Sequence, residues 1–390
     1  MSKPRHSQFI LVFFLLVLLA PTMASAQWVS DPAIEQKIQR GIDAIYNLKY
    51  DKADTLFAEV IRWDPQHPIG YFFQAMTQWW KILSNFDDDS HDQKFYEMLD
   101  KVITLCENRL DKNPNDVTAL FFKGGAVGFR GRLRANRSKW VGAANDGMVA
   151  LPIVQKAYKL DPKNYDVLLG IGIYNYYADV IPDQYPFVKP FMLFFPSGDR
   201  KKGLQQLEEA AKNARYARVE ANYFLMQNYF QYEKDFPKAL VIATMLNKKY
   251  PDNPVFQRYL GRCHISLGQL GEGNDVFLEV AKRFKKRQTG YDNYDGREAY
   301  YYLGKYDFLT GNMDRSLKYF YSSDSLSRIV DKDGASGFMS LTNLMIGMIY
   351  DTQNHRAAAV EQYKKVLDLK EFENSRRDAE QYLHQPYKRN

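Results

Sequence analysis

Residues 254–280 read PVFQRYLGRCHISLGQLGEGNDVFLEV, and the order of small and large residues in them sets the rule for the chain. Leu260 and Gly261 come first, Gly268 marks a turn, Gly273, Phe277 and Val280 follow, and Pro251 stands just ahead. The spacing predicts two helices joined by a tight turn. A small residue in the first helix lets the second approach closely. The large apolar residue of the second then wedges toward the next pair. A single pair cannot bury its own apolar face, so it must stack on neighbours.

The small marker recurs at Gly41, Ala75, Gly124, Gly172, Gly261, Gly304 and Gly347, with a break around Gln227. Partners from the second helices recur with it: Ala53 and Phe57, then Ala150, Val154 and Ala157, then Ala239 and Leu246, Phe320, and finally Ala359, Tyr363 and Val366. Pro65, Pro114, Pro162 and Pro251 are expected to end second helices, because proline cannot continue one. The pattern resembles the tetratricopeptide repeat, a helix–turn–helix unit of about 34 residues. The resemblance implies an all-α, right-handed superhelical solenoid across residues 27–390, with about eight helical hairpins and long insertions inside repeats. A last helix at 375–384 reads as a cap. Distant repeats of such a solenoid are not expected to touch, which leaves Cys106 and Cys263 as two buried free thiols.

A narrower resemblance lies at residues 172–207, GIYNYYADVIPDQYPFVKPFMLFFPSGDRKKGLQQL. A proline-containing apolar segment, then Ser-Gly-Asp-Arg, then Gly-Leu-x-x-Leu opening a helix, is similar to the tetratricopeptide family of the inclusion-body clearance proteins. That similarity implies a non-enzymatic adaptor.

Three repeats are longer than the rest. Gly124 and Ala150 stand 26 apart, against 12 for Gly261 and Gly273. The insertions fall near 84–98, 131–146 and 179–198, each between the two helices of a hairpin, so they are expected to project from one edge and form one platform. The first is acidic (Asn85 to Asp92). The second is basic, with Arg130, Arg132, Arg134, Arg137 and Lys139 beside Trp140. The third is proline-rich and aromatic. Arginine forks grip carboxylates and phosphates on two prongs, so the basic segment reads either as a partner-binding anion site or as a solvated face neutralised by Asp87, Asp88 and Asp89. The third insertion reads either as a plug for the groove or as a membrane-touching finger anchored by Phe187, Phe191, Phe194 and Phe195. By repeat position, Tyr176, Asn228, Arg258, Arg262, Tyr301 and Lys305 are expected to line the concave face and clamp a partner peptide. His91 in the acidic loop makes a poor metal site, and no metal or cofactor is expected.

Residues 1–26 have the form of a secretory signal: Lys3 and Arg5, an apolar run from Phe9 to Ala20, and Ala24-Ser25-Ala26 before Gln27. Cleavage at Ala26/Gln27 would leave a periplasmic or secreted chain, whose net charge falls from +7 to +5 with the loss of Lys3 and Arg5. That excess is too weak to argue nucleic acid. The motifs of metallohydrolases, serine hydrolases and phosphate loops are missing, and the histidines are scattered over distant repeats. The chain therefore reads as an exported, non-enzymatic adaptor of the bacterial cell envelope with a protein or peptide partner. A glycan- or small-ligand-binding protein using Trp79, Trp80 and Trp140 is the alternative. The one enzyme class left open is a hydrolase built on facing carboxylates.

Overall fold

The computed structural model describes residues 29–389 apart from 85, 87, 193, 194 and 333. The leader read at 1–26 lies outside them, as do Asp87 and the anchor expected at Phe194. Among the described residues the chain is all-α. Eight hairpins follow one another: α1 (Pro32–Tyr46) with α2 (Tyr50–Trp63), α3 (Pro68–Ser84) with α4 (Asp92–Lys112), α5 (Val117–Asn136) with α6 (Trp140–Leu160), and α7 (Tyr165–Gln184) with α8 (Arg200–Asn213). Then come α9 (Arg218–Gln231) with α10 (Phe236–Lys249), α11 (Pro254–Ser266) with α12 (Leu270–Lys285), α13 (Asn293–Thr310) with α14 (Met313–Val330), and α15 (Gly337–Thr352) with α16 (Arg356–Leu367). The final helix, α17 (Ser375–His384), packs on α15 and α16.

Local chemistry sets these boundaries. Asp31, Asp116, Asn164, Asn253, Asp292 and Ser336 each cap the start of a first helix by accepting from backbone N–H groups that have no partner within the helix. Helices α2, α4, α6 and α10 stop two residues before Pro65, Pro114, Pro162 and Pro251. The marker glycines do what their spacing requires. A Cβ on Gly41, Gly261, Gly304 or Gly347 would fall within 2.9 Å of Phe57, Phe277, Phe320 or Tyr363, the wedge of the same hairpin.

Much of the extra length is helix rather than loop. Helices α5 and α6 run 20 and 21 residues, against 13 and 16 for α11 and α12. The stretch 131–146 thus lengthens both arms of hairpin 3, with only residues 137–139 between them. Only the third segment leaves the helix for long, through a 3₁₀ turn at Pro186–Val188 and a short helix at Lys189–Met192.

The Ser-Gly-Asp-Arg motif has a packing role. Asp199 caps α8 by accepting from the Lys202 N–H at 2.9 Å, and its own N–H donates to the Asn175 carbonyl at 2.9 Å. A Cβ on Gly203 would stand 2.5 Å from the Tyr176 backbone nitrogen, so α7 and α8 meet backbone to backbone. Valine at position 203 is expected to cost about 3 kcal/mol, the upper part of the overpacking range. A urea melt would show the lost midpoint, and a midpoint equal to wild type would contradict the close contact.

One expectation fails. Distant repeats do touch, because the superhelical turn closes on itself. Glu35 of α1 accepts from the Arg215 Nε at 2.7 Å and from the Tyr216 hydroxyl. The Tyr46 hydroxyl donates to Glu220 at 3.2 Å, the Tyr250 hydroxyl to Asp43 at 2.8 Å, and the Asn253 amide to the Tyr46 carbonyl at 3.0 Å. Rings close the same seam: Tyr46 lies 4.9 Å from Trp80 and 5.3 Å from Tyr250, and Trp80 lies 5.6 Å from Phe256. One hydrophobic core therefore runs unbroken from Val29 to Cys263. A helical-repeat rule considers only nearest neighbours, whereas curvature tight enough to bring hairpin 1 onto hairpins 5 and 6 buries a second set of faces. Cys106 and Cys263 are both buried and unpaired.

Candidate interaction surfaces

The basic segment is not a free anion site. Asp146, 2% exposed, is its hub. Arg130 gives Nη2 to Asp146 and Nη1 to Asp100, both at 2.8 Å, and Arg134 gives Nη1 to Asp146 at 2.7 Å. Arg137 grips Asp92 with Nε at 2.8 Å and Nη2 at 3.0 Å, and donates to the Phe86 carbonyl. It thereby ties the hairpin 2 loop to the tip of hairpin 3. Arg132 turns the other way, into the ring. Its guanidinium stacks 4.9 Å from the Trp79 ring and 4.5 Å from the Phe224 ring, and Nη1 stands 3.6 Å from Glu220. These partners correct the reading of Arg130, Arg132, Arg134 and Arg137 as an open docking patch. They are Asp146, Asp92, Asp100 and Glu220, with Asp88 contributing its carbonyl. The hub was readable in outline: Asp146 is the lone acid in the α6 stretch 140–160, where nothing in the helix itself can balance it.

Inside the ring the concave face is filled rather than open. Tyr176 is fully buried, with its hydroxyl on Glu233 at 2.7 Å. Asn228 is fully buried and accepts from Tyr177 at 2.7 Å. Both were expected to face a partner, and both serve packing between hairpins 4 and 5 instead. Tyr301 is also buried. Trp79 and Trp80 are core residues, 0% and 1% exposed, so the aromatic platform expected for a sugar is not there. Trp140 alone of the three is exposed.

Arg258 and Arg262 of α11 face the next repeat. Arg258 places Nε 2.8 Å from Asp295 and Nη1 3.2 Å from Glu298, and Arg262 grips Glu298 with two N–H groups. Burial alone would push the Glu298 carboxyl up, but Arg262 and Arg258 hold it below the usual range. Asp295 is shifted the other way. Burial raises it, with the Asp292 carboxylate adding to burial and Arg258 opposing. Asp295 and Glu298 are thus engaged in ion pairs with these arginines.

Lys305 is the exception among the expected residues. It sits half-buried on α13, one residue past the marker Gly304, in the repeat position that Arg262 occupies on α11. It has no ion pair or hydrogen bond among the described residues. Half-buried Tyr302, Tyr306, Leu341 and Met345 occupy the neighbouring first-helix positions. The C-terminal tail bounds this groove, with Tyr387 against the Phe308 ring at 6.1 Å and Arg389 on the Leu309 carbonyl at 2.8 Å. At the start of α13, a cleft of about 410 Å³ is lined by Asp88, Asp89, Asp292, Tyr294 and Lys332 among others. No group of three His, Cys, Asp or Glu side chains that could hold a metal ion occurs among the described residues.

The family model for the tetratricopeptide repeat matches residues 342–372, which hold most of α15, all of α16 and the turn between them. Over these residues the chain resembles a tetratricopeptide repeat, and the described residues as a whole form an all-α stack of helical hairpins. Solved helical-repeat structures are similar at low identity. Human IFIT1, as a dimer with m7Gppp-AAAA, is 13% identical with a TM-score of 0.45, covering 90% of this chain and 85% of its own. The thermophilic repeat protein TTC0263 of Thermus thermophilus is 16% identical at 0.35, covering 60% and 98%. Yeast Tom70 is 11% identical at 0.37, covering 87% and 86%. At these identities and scores the likeness concerns fold alone and brings no ligand with it. Among curated proteins no match was found. The marker Gly347 lies within the matched segment, against its wedge Tyr363.

Proposed function

We propose that the chain is a non-enzymatic interaction scaffold of the bacterial cell envelope that holds an acidic segment of a partner protein in the groove of hairpins 6–8. The carrying observation is Lys305, a half-buried cation with no ion pair or hydrogen bond among the described residues. A carboxylate from a partner would complete it, and the flanking tyrosines and Met345 supply contact area. Tetratricopeptide solenoids are built for protein interaction, and the filled ring of hairpins 1–5 leaves the later hairpins as the concave surface on offer. Export follows from the Lys3/Arg5 start, the apolar run and Ala24-Ser25-Ala26. The similarity around Gly198 and Gly203 to the clearance-protein family points to an adaptor as well. The glycan alternative loses its footing with Trp79 and Trp80 in the core.

The test is an in-cell photo-cross-link from position 302, read by mass spectrometry, with and without Lys305→Glu. One dominant protein adduct that drops about tenfold or more in the variant, the scale of a lost charge pair, supports the groove. No adduct from a chain with a wild-type melt removes it.

A further inference from the structure

Helix α6 has an outer face unlike those of its neighbours. From Trp140 to Gln155 the only ionisable residue is Asp146, and it is buried beneath Arg130 and Arg134. Trp140 (41%), Val141 (66%), Met148 (42%) and Val149 (48%) are exposed. With the exposed Asn145 and Pro152 they follow the helical spacing that puts residues on one side. The second helices on either side are charged there. Lys94, Glu97, Asp100, Lys101 and Glu107 are exposed on α4, and Lys201, Lys202, Glu208, Glu209 and Lys212 on α8.

The third insertion extends this face. Phe187, 53% exposed, sets its ring edge-on to Trp140 at 5.2 Å, and Tyr185 follows at 6.2 Å from Phe187. Together with Lys139 and Val141, the Trp140 and Phe187 rings border a shallow apolar cleft of about 440 Å³. Exposed lysines mark both ends of the strip: Lys139 and Lys189 at the aromatic end, with Lys189 4.0 Å from Asp183, and Lys156 and Lys159 at the other.

We propose that this strip is a membrane-surface contact, in which α6 lies along an anionic bilayer with Trp140, Tyr185 and Phe187 at headgroup depth. Two features select a lipid surface over a protein. Lysine is depleted where proteins bind each other but favourable beside anionic headgroups. Indole and phenol rings prefer the water–lipid boundary, where an apolar body and a polar tip are both satisfied. A helix with one apolar face and flanking lysines lies in that plane rather than crossing it. Consistently, no helix of the described residues is long and apolar enough to cross a membrane. The contact is on the convex side and does not depend on the groove around Lys305.

The experiment is flotation with vesicles of phosphatidylglycerol and phosphatidylethanolamine, and with vesicles of phosphatidylcholine alone. Both the full chain and the chain starting at Gln27 are floated, so that the run from Phe9 to Ala20 cannot supply the binding. Binding of the shorter chain to the anionic vesicles, weakened by salt, is expected. The double variant Val141→Glu/Val149→Glu should lose about tenfold or more of it, since each change places a charge at the lipid boundary. Both valines are exposed, so its melt should match wild type. Lys139→Glu/Lys189→Glu should weaken binding to the anionic vesicles. Brominated lipid should quench tryptophan emission in wild type and not in Trp140→Phe. A shorter chain that does not float overturns the proposal, as does a double variant that floats like wild type. If light scattering instead shows a dimer that Val149→Glu splits, the strip is a contact between copies and the membrane proposal fails.

Discussion

Replacing Tyr46 by alanine is expected to open the ring. Tyr46 is 6% exposed and sits where hairpins 1, 2, 5 and 6 meet, packed on Trp80, Tyr250 and Phe256. Its hydroxyl reaches Glu220, whose carboxyl is raised by burial, with Arg132 and the Tyr46 hydroxyl itself pulling the other way. Alanine would remove the ring and leave that carboxylate facing a cavity, a loss of about 3–5 kcal/mol for a buried aromatic. The damage should be local in a telling way. Hydrogen exchange should quicken in α1 and α2, and small-angle scattering should report a larger radius, while hairpins 7 and 8 stay protected. Tyr46→Phe separates the two roles, because it keeps the packing and gives up about 1 kcal/mol of hydrogen bond. An unchanged radius and unchanged exchange in the alanine variant would mean that the seam contributes little.

Glu298→Ala is the second large effect. The carboxylate is 1% exposed and receives both Arg258 and Arg262. Without it Arg258 keeps Asp295, but Arg262 keeps only the Tyr259 ring at 5.2 Å. A buried charge stripped of its partner costs more than the pair contributed, about 3 kcal/mol here. The second change Arg262→Leu should recover much of the loss, and a double variant no better than the single would argue against the account. The acid dependence has a sign. The folded carboxyl of Glu298 is depressed, so its contribution is present above the ordinary glutamate value of 4.5 and is lost as pH falls through the folded value. Asp295 is raised, so its contribution is present below 3.8 and is lost as pH rises through its higher folded value. The stability gap between wild type and Glu298→Gln should therefore shrink on acidification, measured as the difference in melting midpoint.

The hairpins were legible because they are local. Gly261 with Phe277, or Gly347 with Tyr363, record a contact between two helices joined by a short turn, and sequence spacing is enough to see it. The surfaces were less legible. Four arginines between 130 and 137 looked like a patch because their partners lie elsewhere: Asp146 on the next helix, Asp92 and Asp100 on the previous hairpin, and Glu220 across the ring. Tyr176 and Asn228 had the right repeat positions for a groove, but those positions are filled once hairpins 4 and 5 pack. Lys305 stays half-buried with no ion pair or hydrogen bond among the described residues.

By itself, then, the sequence determined the helical hairpins, their number and their wedges. Each of these depends on residues close in the chain, where backbone geometry and side-chain size leave few alternatives. Only the tertiary structure decided which faces remain free. The ring closes through Tyr46, Trp80, Tyr250 and Phe256, residues separated by up to 210 positions. Small rotations between successive hairpins add up to that closure, and no short window of sequence records their sum.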